Sequence, residues 1–287
     1  MVRTWCSLII ATAVSGIPAV RLTATAVSTP FTLDASGAVV IPVQINGRGP
    51  YRLVVDTGSS RSAVSRKLAV EAAAPVVAKT TVVSIGQETN RLVVELDRIE
   101  VGPAARPDIL ASVIPDQELT TLAPGVDGVL GQDFLATFDY TIDYRRRTLT
   151  WAANPALLGS GDHRFKLRPE EGRYLVDIPQ GEGRERALRF VPDSGAAVMV
   201  LYERDGHLPL QVGRGRRPLE VAGLSGGRRA VLSTLIELRI GGLVLHDSPV
   251  VVLTGCDDVP GADGLLPLSL FDRVTFLARD GVIMLGK

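Results

Sequence analysis

The chain has 287 residues, 46% hydrophobic and 22% charged, the balance of a globular protein able to bury a core. Lysine plus arginine equals aspartate plus glutamate at 31 each, so the formal charge is zero and there is no basic footprint for nucleic acid. The only cysteines are Cys6 and Cys256, too few for a disulfide framework.

In chain order, the first segment reads as a secretory signal over residues 1–26. Arg3 is the positive start, Trp5 to Val14 the apolar stretch, and Ala24-Thr25-Ala26 a small-residue cleavage site. Ser15, Gly16 and Pro18 interrupt the apolar run, which is short for a membrane span; an uncleaved anchor is the alternative. Removal of this segment would take Cys6 with it, so no intramolecular disulfide is expected. The implied location is periplasmic or extracellular, with no membrane attachment after cleavage.

A strand is predicted over Val39 to Ile45. Asn46-Gly47 gives a hairpin turn, and the return strand Tyr51 to Asp56 ends at a carboxylate in Asp56-Thr57-Gly58-Ser59-Ser60. A helix follows over Ser65 to Ala73, with Leu68 and Ala69 inward and Pro75 beyond its end. Strands then come at Thr81 to Ile85, Leu92 to Val101 and Ile109 to Ile114. The segment Asp127-Gly128-Val129-Leu130-Gly131 precedes a closing hairpin of Phe138 to Tyr144 and Thr148 to Trp151. Ala152 to Gly161 carries Asn, Pro, Gly and Ser, the composition of a linker.

The second half repeats the plan. Tyr174 to Ile178 is a strand, a polar turn follows at Gln180 to Gly183, and a strand from Arg186 leads into Pro192-Asp193-Ser194-Gly195-Ala196. A long hairpin with a glycine-rich tip spans Leu219 to Ile240, and Val250 to Leu253 is a buried strand. Asp263-Gly264-Leu265-Leu266-Pro267 then precedes a last hairpin turning at Asp280-Gly281. Asp56 and Asp193 lie 137 residues apart (193 − 56), and Asp127 and Asp263 lie 136 apart (263 − 127). A nearly constant offset through several elements marks an internal duplication. The expected class is all-β, in two similar lobes with short helices. The expected division is a signal peptide over 1–26, a first lobe over 27–152, a linker over 153–164 and a second lobe over 165–287.

Two carboxylates delivered by related lobes can meet on a pseudo-two-fold axis. Held about 3 Å apart they share one proton. The ionised member takes a proton from a water, and the protonated member donates to the carbonyl under attack. The hydroxyls of Thr57 and Ser194 can bond across the axis and hold the two turns together.

Asp56-Thr57-Gly58-Ser59-Ser60 paired with Asp193-Ser194-Gly195-Ala196 resembles the aspartic proteases, and Asp127 to Gly131 looks like that family's apolar-apolar-Gly element. The nearest likeness is to bacterial retropepsin-like aspartyl proteases with both lobes in one chain, from about Val39 to Leu285. The resemblance implies a bilobal acid-protease fold with two β-barrel-like lobes. It implies an endopeptidase with Asp56 and Asp193 as catalytic pair, supported by Thr57, Gly58, Ser59, Ser194 and Gly195. It needs no cofactor and no metal, works as a monomer, and takes a peptide or unfolded protein as an extended strand under a mobile hairpin. The candidate flaps are Ile85-Gly86-Gln87 and Gly223-Leu224-Ser225-Gly226.

The chain departs from the family pattern in three places. Pro192 precedes Asp193 and removes a backbone donor from a central strand. Pro267 stands where the family has glycine, and neither flap carries a tyrosine. The two prolines motivate an alternative: a catalytically inactive peptide-binding protein of the same fold. Gly223-Leu224-Ser225-Gly226-Gly227 formally matches a serine-hydrolase elbow, but the following segment reads as strand, not helix. His163, His207 and His246 are scattered without metal-ligand spacing. A Ser59 hydroxyl bonded to Asp56, with Ala196 offering Asp193 nothing equivalent, would make Asp56 the more acidic of the pair.

Overall fold

The computed structural model describes residues 27–84, 87–151, 162–180, 187–223, 226–254 and 259–287. The expected signal peptide, most of the expected linker, and flap residues Ile85, Gly86, Leu224 and Ser225 lie outside them.

The first half contains β1 (Ser28–Pro30), β2 (Thr32–Leu33), β3 (Val39–Ile45), β4 (Arg48–Val55), β5 (Ala63–Ser65), α1 (Arg66–Glu71), β6 (Val76–Ser84), β7 (Gln87–Val101) and β8 (Ala104–Ile114). It continues through α2 (Asp116–Leu122), β9 (Gly128–Leu130), α3 (Gln132–Leu135), β10 (Tyr140–Asp143) and β11 (Thr148–Trp151). The second half contains β12 (His163–Glu170), β13 (Arg173–Ile178), β14 (Leu188–Asp193), β15 (Met199–Glu203), β16 (Arg217–Gly223), β17 (Gly226–Ile240), β18 (Leu243–Thr254) and β19 (Gly264–Pro267). A 3₁₀ turn over Leu268–Leu270, β20 (Arg273–Leu277) and β21 (Val282–Gly286) complete it.

Local chemistry accounts for the elements that place the aspartates. Asn46 and Gly47 both take positive φ, 50° and 71°, which suits the twist of a two-residue hairpin between β3 and β4. The Ser65 hydroxyl accepts the Leu68 N–H at 3.0 Å and caps α1, whose Leu68 and Ala69 are buried. Glycine at 128 and 264 has a steric reason. A Cβ there would lie 2.4 Å from the Ala63 carbonyl oxygen and 1.9 Å from that of Val200.

The duplication is visible in the strand pairing. β4 runs parallel to β9, which pairs antiparallel with β5, and β5 runs parallel to β8. In the second half β14 runs parallel to β19, β19 pairs antiparallel with β15, and β15 runs parallel to β18. The result is an all-β, bilobal acid-protease fold, and a shared sheet ties the lobes. β10 of the first half pairs with β20 of the second through Tyr140↔Phe276 and Ile142↔Val274, giving the order β1-β11-β10-β20-β21-β12. The Tyr140 and Phe276 rings stack at 4.8 Å within one buried cluster that draws on both halves. Each such fully buried side chain contributes about 1.5–3 kcal/mol, so this shared core helps hold the two halves together.

Gly223 at the end of β16 pairs with Gly226 at the start of β17, so a strand stands on either side of positions 224 and 225. A serine-hydrolase elbow requires a helix after the turn, and a strand follows instead. Ser84 and Gln87 close the β6–β7 hairpin in the same way. Among the described residues no helix is long and apolar enough to cross a membrane.

Candidate active site

β4 and β14 deliver Asp56 and Asp193 to the junction of the lobes, where each carboxylate is held by its own turn. Asp56 Oδ1 accepts the N–H of Gly58 at 2.9 Å and of Ser59 at 3.0 Å. Asp193 Oδ1 accepts the N–H of Gly195 at 2.7 Å and of Ala196 at 3.0 Å. Two donors on one carboxylate oxygen fix its rotamer and leave the other oxygen for chemistry.

The turns interlock through Thr57 and Ser194. The Thr57 hydroxyl donates to the Pro192 carbonyl at 2.7 Å and accepts the Ser194 N–H at 3.0 Å. The Ser194 hydroxyl donates to the Val55 carbonyl at 2.6 Å and accepts the Thr57 N–H at 3.1 Å. Both side chains are buried, at 0% and 3% exposure, so water does not compete for these bonds.

Gly58 and Gly195 let each turn approach the other's carboxylate. A Cβ on Gly58 would lie 2.6 Å from Asp193 Cγ, and one on Gly195 would lie 3.0 Å from Asp56 Cγ. No side chain fits there without displacing an aspartate. The same close approach brings the two carboxyls together, each lying against the glycine of the other's turn.

Burial pushes the Asp56 carboxyl above the usual carboxylate range. The two turn N–H bonds, the neighbouring Asp193 carboxyl and the Arg173 charge pull it partly back. Asp193 is pushed further up, first by burial and then by the charge of Asp56. The pair therefore holds one proton over a range of pH, with Asp193 the protonated member.

Asp56 is thus the more acidic aspartate, though not for the reason the sequence suggests. The Ser59 hydroxyl donates to the Arg61 carbonyl at 2.8 Å rather than to Asp56. Ser59 and Ala196 contribute the same thing, a backbone N–H, to their respective aspartates. Besides the charge of Asp56 acting on Asp193, a smaller difference is Arg173 at the start of β13, whose charge favours ionised Asp56 and whose Nε donates to the Gly58 carbonyl at 2.8 Å. Sequence reasoning missed this residue because 115 positions separate it from Gly58 and nothing local marks it.

The two prolines leave this geometry intact. The register of β14 with β13 ends at Val176↔Phe190, short of Pro192. Pro192 supplies its carbonyl to Thr57 just as Val55 supplies its carbonyl to Ser194. Pro267 pairs in parallel register with Asp193 at the end of β19. Its counterpart Gly131 passes so close to Arg61 that a Cβ would lie 2.5 Å from that residue's carbonyl carbon.

The first turn has further braces. The Gln132 side-chain amide donates to the Thr57 carbonyl at 2.8 Å. The Asp133 carboxylate accepts the Ser62 N–H at 2.9 Å, the Ser62 hydroxyl at 2.6 Å and the Phe134 N–H at 2.9 Å. Asp127 and Asp263 are turn residues, accepting the Arg52 N–H at 2.9 Å and the Arg189 N–H at 2.8 Å.

The aspartyl protease family model matches residues 41–134 and again residues 180–270, one match around each aspartate. A retropepsin-like aspartic protease from Rickettsia conorii is similar at 16% identity, the match covering 44% of this chain and 90% of that one with a TM-score of 0.32. Basic 7S globulin from soybean is similar at 14% identity over 91% of this chain and 96% of that one, with a TM-score of 0.44. Scores this low support no functional transfer. No curated protein matches the chain. The doubled family match spans well over half the residues and falls on the two interlocked aspartate turns: the chain belongs to the aspartyl protease family.

Proposed function

We propose that the chain is an aspartic endopeptidase that hydrolyses peptide bonds with a water activated between Asp56 and Asp193. The observation that carries this reading is a pair of buried carboxyls, each held by two backbone N–H groups and each against the other's glycine, on turns that lock into one another. In this mechanism Asp56, ionised, takes a proton from the water. Asp193, protonated, donates to the carbonyl oxygen as the tetrahedral species forms. Asp56 then passes the water's proton to the leaving nitrogen while Asp193 takes one back from a hydroxyl of the tetrahedral species, so the C–N bond breaks with no covalent enzyme intermediate. Thr57, Gly58, Ser194 and Gly195 hold the pair in register, and Ser59 contributes its backbone N–H.

The inactive peptide-binder reading rests on Pro192 and Pro267, and neither residue separates the carboxyls. In the favoured reading the substrate is an extended peptide or unfolded protein. Export to the periplasm or outside the cell, and action as a monomer, belong to the same proposal. Cell fractionation with N-terminal sequencing of the mature chain tests the export, and a cytosolic chain beginning at Met1 would contradict it.

The direct test is digestion of an unfolded protein by the chain from residue 27 onward, across acid to neutral pH. Asp56→Asn and Asp193→Asn run beside it, with a statine-type inhibitor. Cleavage is expected from the unsubstituted chain, blocked by the inhibitor and absent from both variants. Cleavage surviving both substitutions would eliminate the mechanism.

A further inference from the structure

The hairpin of β6 and β7 leaves its lobe as a two-stranded arm. β8 pairs with β7 as far as Val93↔Ser112 and there turns away: Ser112, Val113 and Ile114 pair with Ala63, Val64 and Ser65 of β5. Beyond that fork, from Leu92 to Gln87, the strand partner of β7 among the described residues is β6 alone, and β6 is the edge of the sheet. A ribbon of two strands has little stability of its own, so its position depends on what ties it at the fork.

A side-chain tie stands at that fork. α2 starts two residues past the end of β8, and its Glu118 accepts from Arg91, two residues out from Val93 on the arm. Arg91 Nη1 donates to Glu118 Oε1 at 3.3 Å, and Nη2 donates to Oε2. The Arg91 side chain is 7% exposed and that of Glu118 42%. A buried guanidinium is costly without an anion beside it, so with Glu118 gone the arginine finds water only by leaving its place, and the arm moves with it. α2 itself is fixed from its other side. Leu119 and Ala123 share a buried cluster with Val54 and Val129, and Val54 lies two residues before Asp56. One short helix thus joins the arm to the strand that delivers Asp56. The second lobe closes the equivalent fork differently. Val251 pairs with both Leu232 and Val200, as Ser112 pairs with both Val93 and Ala63. Arg91 therefore corresponds to Ala230, which is buried in an apolar cluster with Val251, Leu253 and Val259. At this point of the repeat the first lobe has an ion pair where the second has apolar packing.

Resting on the protease reading, in which this hairpin covers the bound peptide, we propose that Arg91 and Glu118 are positioning residues that clasp the arm to α2 and, through α2, to the strand carrying Asp56. The clasp holds the arm over the substrate and touches no reacting atom. Breaking it lets the arm open more often, so the peptide binds more weakly while the acid–base step keeps its geometry.

Glu118→Ala, Arg91→Met and the double variant test this by amide hydrogen exchange and steady-state kinetics. Glu118→Ala removes a half-exposed side chain, so the lobe stays folded. Amides bonded between β6 and β7, from Lys79 to Ser84 and from Gln87 to Leu92, should exchange about five- to tenfold faster in each single variant, and those of β3 and β4 should not change. KM should rise by a similar factor with kcat held within about twofold. The double variant should exchange no faster than the faster single one, because the same contact is broken. Unchanged exchange in the arm, a rise spread evenly over the lobe, additive increases in the double variant, or a fall in kcat with KM unmoved overturns the inference and leaves the protease reading in place. If the unsubstituted chain cleaves nothing, the protease reading fails, and the exchange comparison by itself decides the clasp.

Discussion

Replacing Thr57 with valine keeps the shape of the side chain and deletes one oxygen. That oxygen donates to the Pro192 carbonyl at 2.7 Å and accepts the Ser194 N–H at 3.0 Å, and the site is fully buried. In the variant both backbone groups lose their partner in a place without water. Each orphaned buried group costs about 1–3 kcal/mol, and removing the hydroxyl returns part of that because it no longer has to be desolvated. A net loss of about 2–4 kcal/mol is expected from those terms. A domain stable by roughly 5–15 kcal/mol stays folded under that loss, so chemical denaturation reads it directly. The same change unties the strands carrying Asp56 and Asp193, and a displacement near 1 Å costs on the order of 10²-fold in rate. Ser194→Ala removes the mirror-image bonds to Val55 and Thr57 and should cost a similar amount. Because both changes release the same two turns, the double variant should be less damaged than the two single losses added together. The reasoning is refuted if Thr57→Val loses under about 1 kcal/mol and keeps the unsubstituted kcat/KM.

Three further outcomes follow from the site. Gly58→Ala should lower kcat/KM by about 10²-fold or more, since its Cβ would lie 2.6 Å from Asp193 Cγ; activity within tenfold of the parent in steady-state assays would contradict this close approach. Arg173→Met removes the charge that favours ionised Asp56, so the acid limb of the kcat/KM profile should move to higher pH. Ser59→Ala should leave that limb in place, because its hydroxyl bonds Arg61 instead, and the opposite pair of results would sink the assignment. The last concerns stability. The folded pKa of Asp193 is raised, so its contribution is intact below the unfolded value near 3.9 and lost as pH rises through the folded value. Asp193→Asn should therefore raise Tm at pH 7 more than at pH 3, and thermal melts with equal shifts at both would show that the carboxyl is not strained by burial.

The aspartate turns were legible because each sits at the end of an apolar strand with a Gly that close approach demands, and because the arrangement occurs twice. The helix from Arg66 was legible through its Ser65 cap and its inward Leu68 and Ala69. Helix α2 was not: its seven residues lack a side-chain cap and are too short for a period to register. The first half of β18 was hidden by Leu245-His246-Asp247-Ser248, whose polar residues face solvent on a long hairpin arm. The pairing of β10 with β20 could not be read either, since nothing in Tyr140 to Asp143 tells a hairpin partner from a strand of the other lobe. Polar contacts across the chain were the least visible. Arg173 looks like a solvated arginine in one dimension and joins the site only through its bond across the halves to the Gly58 carbonyl.

A duplicated fold poses a chemical problem that this site resolves. Two identical turns would give two identical carboxyls, with the proton equally at home on either, yet general acid–base hydrolysis needs one of them ionised and the other protonated in a defined orientation. The backbone does not break the tie, since both aspartates accept two N–H groups at nearly equal distances. A fixed bias comes from outside the turns. The β12–β13 turn of the second lobe places Gly172 against Ser60 and Arg173 on the Gly58 carbonyl. The corresponding turn of the first lobe, Asp34 to Gly37 between β2 and β3, has no cation, and its Asp34 carboxylate accepts the Ser36 N–H at 2.9 Å and the Ala38 N–H at 2.9 Å. A guanidinium on one side of a pseudo-symmetric pair favours ionised Asp56 and so biases the shared proton toward Asp193. The neutral variant at position 173 therefore separates two quantities that usually change together. It should leave the carboxyls in place and the turns locked, while narrowing the difference between Asp56 and Asp193 that assigns the base and the acid.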